Sequence, residues 1–135
     1  MNHTHGWNLS WIGSLITALA TLAGVFLGQR SARRLQREQW LSDHRRAECK
    51  ELLEALTAAY RQVYRLNGGA AEQDALDQIV HNRLFIAKEL KQYDFWNRWL
   101  TSKTNIASDE GGVYFKAEYA NLSDFIIKLA NDPKA

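Results

Sequence analysis

Cysteine and proline are nearly absent from this chain, each occurring once in 135 residues, and residues 1 to 28 contain no Asp, Glu, Lys or Arg at all. A single Cys49 cannot form an intrachain disulfide, which suits a domain facing a reducing compartment. The lone Pro133 sits near the end of the chain and leaves nothing to interrupt long helices. No internal repeat or low-complexity tract is visible, which excludes a solenoid and a disordered array. No Ser/His/Asp constellation, paired-carboxylate pocket, phosphate loop or Cys cluster can be assembled from the sequence. No catalytic residue, cofactor or metal is therefore expected, and an enzyme is not the reading the chain supports.

What is present is ordered by charge. Residues 29 to 50 hold seven basic side chains against three acidic ones, and the 85 residues that follow carry ten basic and twelve acidic. The division read from this is a short outside tail (1–8), a transmembrane helix (9–28), a basic juxtamembrane helix (29–50) and a cytosolic helical bundle (51–135). About 20 helical residues at roughly 1.5 Å each cover the hydrocarbon thickness of a bilayer. Trp7 and Trp11 suit one headgroup region, and the arginines that follow mark the other. By the positive-inside rule the arginines and everything after them lie in the cytoplasm. A cleaved signal peptide ending at Ala18-Leu19-Ala20 is the rival. It lacks a basic start, however, and apolar sequence runs on to Leu27.

Within that apolar stretch, Ser10, Ser14, Thr17, Thr21, Gly24 and Gly28 recur at steps of four and three. At about 100° per residue they occupy an arc of roughly 80°, away from Leu15, Leu19, Leu22 and Phe26. Lipid gives large side chains little reason to associate, whereas small residues let backbones approach and hydroxyls bond across. Three uses of the seam follow. The hydroxyls can bond their own helix four residues back. The seam can be a close-packed interface between copies or with another membrane protein. Or it can line a polar path through a ring of copies.

The 3,4 spacing continues through Ser31, Leu35, Glu38, Ser42, Arg45, Cys49, Leu52, Leu56, Ala59 and Val63 to Leu66, turning apolar from Cys49. A straight helix drifts about 20° per heptad, so this face keeps its phase between copies only if the helices supercoil. The spacing predicts one nearly continuous helix over 9–66, with Ser42-Asp43 as a potential break and "NGG" at 67–69 as its end. A second helix is expected over about 72–93 and a third over about 113–131. "DFWNRWL" (94–100) either extends the second or stands alone, and 101–112 has loop composition. The fold class is all-α: a single N-terminal transmembrane helix running into a long helix that packs with two further helices in a small cytosolic bundle.

The collar arginines Arg30, Arg33, Arg34 and Arg37 are expected to meet lipid headgroups, besides stopping translocation. Arg45 and Arg46 lie too far along for that and suit salt bridges with Glu48, Glu51 or a neighbouring copy. Nucleic acid is not an expected partner, because no base-reading module accompanies the charge. Tyr93, Phe95, Trp96 and Trp99 form the densest aromatic group. They either close the end of the bundle or anchor a cytosolic protein partner, with Lys91, Asp94 and Arg98 as a polar rim. His3 with a free amino terminus has an arrangement that can hold Cu(II) or Ni(II), against the plainer reading of a polar tail. His81 has no ligand partner at i+4.

Arg37 and His44 match the loose R-x4-6-H spacing and so resemble, at that one point, helical HEPN-type ribonucleases, in which the Arg and His act on a scissile phosphate. A second resemblance rests on a short outside tail, one membrane helix, the collar "RSARRLQREQW" and a small helical domain. This plan is similar to that of small single-pass bacterial inner-membrane proteins that accompany phage-defence or CRISPR systems. The resemblance implies action at the inner membrane and transfers no residues. With the seam and the charge order, the leading expectation is a non-enzymatic inner-membrane protein with its N-terminus outside, which self-assembles through the seam and the bundle into a membrane-perturbing or pore-like homo-oligomer. A membrane-anchored adaptor is the alternative, and a membrane-tethered ribonuclease the third.

Overall fold

The computed structural model describes residues 6–65, 70–108 and 112–132, with side chains from residue 10 onward. All described regular structure is helical: α1 (Gly6–Val63), α2 (Ala71–Asn82), α3 (Ala87–Gln92), α4 (Phe95–Thr104), a 3₁₀ turn (Asn105–Ser108) and α5 (Val113–Asn131). The chain divides into two units, Met1–Trp40 and Leu41–Ala135. The described part of the first unit is helix alone. Its window of mean hydropathy 1.8 is long and apolar enough to cross a membrane, and every side chain from Ser10 to Trp40 is exposed.

The second unit is a bundle built on one stripe of α1. Cys49, Leu52, Leu56 and Ala59 are buried, and Val63 packs beside them. These are the positions the 3,4 spacing selects, but the chain's own helices cover them. Against the stripe lie Leu76 and Val80 of α2, Leu90 of α3, Phe95 and Trp99 of α4, and Phe115, Leu122 and Ile126 of α5. α5 runs antiparallel to α1: Gly112 meets Tyr64, Tyr119 shares a 3.0 Å hydrogen bond with Thr57, and the Leu129 carbonyl accepts one from Arg45 Nε at 3.1 Å. Along this seam Tyr60 stacks on Tyr119 (4.0 Å between centroids) and on Phe115 (5.2 Å). The Arg45 guanidinium, 3.5 Å from Glu89, is a buried cation at the carbonyl end of α5, where the helix dipole favours positive charge.

The expected second helix is not continuous, and the bundle takes four helices beyond α1 rather than two. Arg83 is extended (φ −83°, ψ 136°) and ends α2. The backbone N–H groups of Leu84 and Phe85 donate to the Glu48 carboxylate on α1, at 3.3 and 3.0 Å. Arg83 pairs with Glu51 one turn further along α1. Glu48 and Glu51 thus hold this turn in place of pairing with Arg45 or Arg46. A carboxylate that accepts two N–H groups satisfies the donors of the turn itself, ahead of the Ile86 cap of α3. The next break is Asp94, whose left-handed φ of 55° turns the chain between α3 and α4. Asp is among the few residues with a side chain that tolerates this region.

Residues 101–108, expected as loop, are helical: α4 runs to Thr104 and the 3₁₀ turn follows. Burial of Ser102, whose Oγ donates to the Trp99 carbonyl, outweighs the polar composition of that stretch. α1 passes through Ser42-Asp43 unbroken, and α5 coincides with the third expected helix. Gly112, at φ 68°, precedes α5, and a Cβ there would lie 2.9 Å from the Tyr64 hydroxyl, so backbone conformation and space both favour glycine. The tail 1–5, the "NGG" terminator and Pro133 lie outside the described residues, and with them the His3 metal reading.

Burial pushes the Cys49 thiol up from its ordinary value of 9.0 to about 11, with Arg45 opposing and Glu48 and Glu89 reinforcing. A raised thiol pKa means that the folded state holds its proton more tightly than the unfolded chain. Its stabilising contribution is complete below about pH 9 and is lost as pH rises through about 11. The folded protein should therefore resist thiol reagents at pH 8. Chemical denaturation of wild type and Cys49→Ala should show alkaline destabilisation across that window that is smaller in the variant. Rapid native-state labelling at pH 8 would contradict the burial.

Candidate functional site

Three groups of side chains carry the functional argument. The first is the small face of α1. Ser10, Ser14, Thr17, Thr21, Gly24 and Gly28 are all exposed, and a Cβ added at Gly13, Gly24 or Gly28 would meet nothing within 4 Å. Thr17 Oγ1 donates to the Gly13 carbonyl and Thr21 Oγ1 to the Thr17 carbonyl, each at 2.9 Å. Both hydroxyl protons are thus used within the helix four residues back, as the first of the three expected uses has it. Their oxygens keep lone pairs for an incoming donor. At Thr17 and Thr21 the face therefore presents acceptors, beside bare backbone at the glycines.

The second group is the collar. Arg30, Arg33, Arg34 and Arg37 are exposed on the same unit, and Phe26, Gln29, Arg30 and Arg33 line a shallow groove of about 130 Å³. Arg37 and His44 fall in different units, and the His44 ring lies 5.7 Å from Phe85. Among the described residues no group of three or more His, Cys, Asp or Glu could hold a metal ion.

The third group, the aromatic cluster, separates into core and surface. Phe95 and Trp99 are fully buried, so they close the bundle's core and are withdrawn from the partner-binding set. Trp99 packs 5.3 Å from Phe115, and its Nε1 donates to Gln73 Oε1 at 3.2 Å, an oxygen that also accepts from Lys103. Tyr93 is half-buried, stacked on Phe125 at 3.9 Å with the Arg98 guanidinium 4.3 Å from its ring centre. Arg98 in turn donates to the buried Glu118 at 2.6 Å, and that hydrogen bond raises the guanidinium's pKa further. The expected rim residue Arg98 is thus a structural tie between α4 and α5.

Trp96 is half-buried, packed at the edge of the core with part of its ring open to solvent. It walls a cleft of about 390 Å³ with His81, Lys91, Asp94 and Asn97, floored by Val80, Leu90 and Phe95. His81 stands edge-on to Trp96, with 5.8 Å between centroids, and its Nδ1 lies 2.9 Å from both the backbone and the carboxylate oxygen of Asp77. Asp94 does not cap α4; its carboxylate accepts from the Asn97 side chain at 2.7 Å. His81 was not visible in the sequence as part of a site. Only the break between α2 and α3, which sets α2's last turn against the start of α4, brings it beside Trp96.

The two tryptophans should respond unequally to truncation. Trp99→Ala should cost about 3–5 kcal/mol, as expected when a large core side chain is removed, while Trp96→Ala, which removes a half-buried ring, should cost about 1–2 kcal/mol. Thermal unfolding in detergent reads both, and comparable losses would mean that Trp96 is also core. No family model, curated protein or solved structure matches this chain, so its function is legible only from its own side chains.

Proposed function

We propose that the chain is a single-pass membrane protein that self-associates through the small face of α1, with its bundle in the cytoplasm, and that the assembly perturbs the membrane. The observation that carries this reading is a helical segment that is apolar, uncharged through Gly28 and exposed throughout, with bare glycine backbone and hydroxyl oxygens on one side. In water such a surface would be a large aggregation liability, whereas in lipid its apolar part is solvated. Lipid also supplies the setting in which small residues favour helix contact. The arginines after Gly28 support a cytoplasmic bundle through the positive-inside rule. A spanning segment that needed only to anchor could use Leu at every seam position.

A second reading, an adaptor anchored by α1, is favoured by the cleft beside Trp96. Its apolar floor and mixed-charge rim suit an apolar side chain from a cytosolic protein.

Two variants separate these readings. Gly24→Leu with Gly28→Leu should reduce the mass of the detergent-solubilised particle from an oligomer to a monomer and abolish dye release from vesicles. Trp96→Glu should leave both unchanged. A monomeric wild-type particle would overturn self-association. An oligomer that survives replacement of the whole span by poly-Leu would place the contact elsewhere.

A further inference from the structure

The first unit is a single helix, so angles around its axis can be compared directly. At about 100° per residue, Arg30, Arg33, Arg34 and Arg37 fall within an arc of roughly 100°. Ile12, Leu15, Ile16, Leu19, Leu22 and Phe26 fall within roughly 120°, and the midpoints of these two arcs differ by only about 10°. The small face lies opposite, centred about 170° from the arginines. No acidic residue shares the arginine arc; Glu38, the only acid before Asp43, lies roughly 90° from its midpoint. The helix of this unit thus carries two faces. One is bulky and then cationic, and the other is small and then free of basic residues, with Glu38 at its edge, roughly 80° from its midpoint.

The bulky face is the one lipid tails would solvate, so the arginines that continue it emerge where those same lipids place their phosphates. Arginine suits this partner chemically. Its planar fork donates two hydrogen bonds to a phosphate and is always charged. The groove lined by Phe26, Gln29, Arg30 and Arg33 places a ring at the tail side of two guanidinium groups and an amide beside them. A phospholipid needs this order of groups, with an acyl chain along Phe26 and a headgroup phosphate between Arg30 and Arg33. A free anion would have no use for the apolar side.

We propose that Arg30, Arg33, Arg34 and Arg37 form a one-sided binding face for the phosphate headgroups of anionic phospholipids, turned away from the small face, so that each helix holds lipid on one side and a second copy on the other. This rests on the membrane-spanning reading of α1. It makes the anionic lipid an outer belt of the assembly, and it leaves the inner side of the collar to Ser31 and Leu35.

The test uses the full chain in nanodiscs of phosphatidylcholine with a minor fraction of phosphatidylglycerol, followed by native mass spectrometry of the lipids that stay bound. Phosphatidylglycerol should be enriched over its bulk fraction on the order of fivefold. Replacing all four arginines by Gln should remove the enrichment, and replacing them by Lys should retain most of it. Lys50→Gln with Arg61→Gln, which removes two charges outside this face, should leave it unchanged. If the fourfold Gln variant fails to insert, Arg30→Gln with Arg33→Gln should still lower the enrichment. Equal retention of the two lipids by wild type would overturn the proposal. So would enrichment that survives the Gln variants, or displacement of the lipid by inorganic phosphate or by RNA at matched ionic strength. Failure of wild type to float with pure phosphatidylcholine vesicles would instead overturn the spanning reading itself. Flotation without phosphatidylglycerol preference would overturn only the lipid face.

Discussion

From Arg45 to Val63, α1 offers its unit one continuous apolar strip, and its side chains tie directly to α3, to α5 and to the turn after α2. Cys49, Leu52, Leu56 and Ala59 are too narrow a strip to be stable alone in water, and burying them requires covering from two sides. α5 covers one side, running antiparallel, with its last carbonyls tied to Arg45 and its aromatic row stacked on Tyr60. The turn between α2 and α3 is held by Glu48 and Glu51 from the same helix, and α4 packs on α5 through Trp99 against Phe115 and Arg98 against Glu118. Polar side chains on α1 thus set where its partners bend, and apolar ones set what they bury.

The same helix presents two kinds of surface. Up to Trp40 its side chains are all exposed, and from Leu41 onward it belongs to a packed bundle. The difference lies in what each stripe contains. A stripe of Ser, Thr and Gly has almost no apolar area to bury and gains little from covering in water, but in lipid it lets a neighbouring backbone approach. A stripe of Leu, Cys and Ala reverses that balance. One periodicity, filled with two sets of residues, therefore points to two kinds of partner.

The aromatic cluster shows the limit of reading residue types in order. Phe95, Trp96 and Trp99 look alike in sequence as interface anchors. Yet Phe95 and Trp99, four apart, face the core, while Trp96 faces a cleft one helical step away. The arginine beside them is likewise a tie to buried Glu118 rather than a rim charge. Each assignment depends on the direction in which α4 leaves Asp94, a single left-handed residue.

Local pattern alone determined the helical class, the reach of α1, the span of α5 and the separation of an uncharged segment from a charged one. Each follows from periodicity, proline scarcity or charge order within a few turns of chain. The tertiary structure decided what local pattern cannot carry: that the middle helix breaks at Arg83, and that residues 101–108 stay helical. The physical reason is common to both. A carboxylate 36 residues away that accepts two backbone N–H groups, or a core that closes over Ser102, changes the preferred backbone by more than intrinsic propensity does, and such partners meet only after the chain has folded.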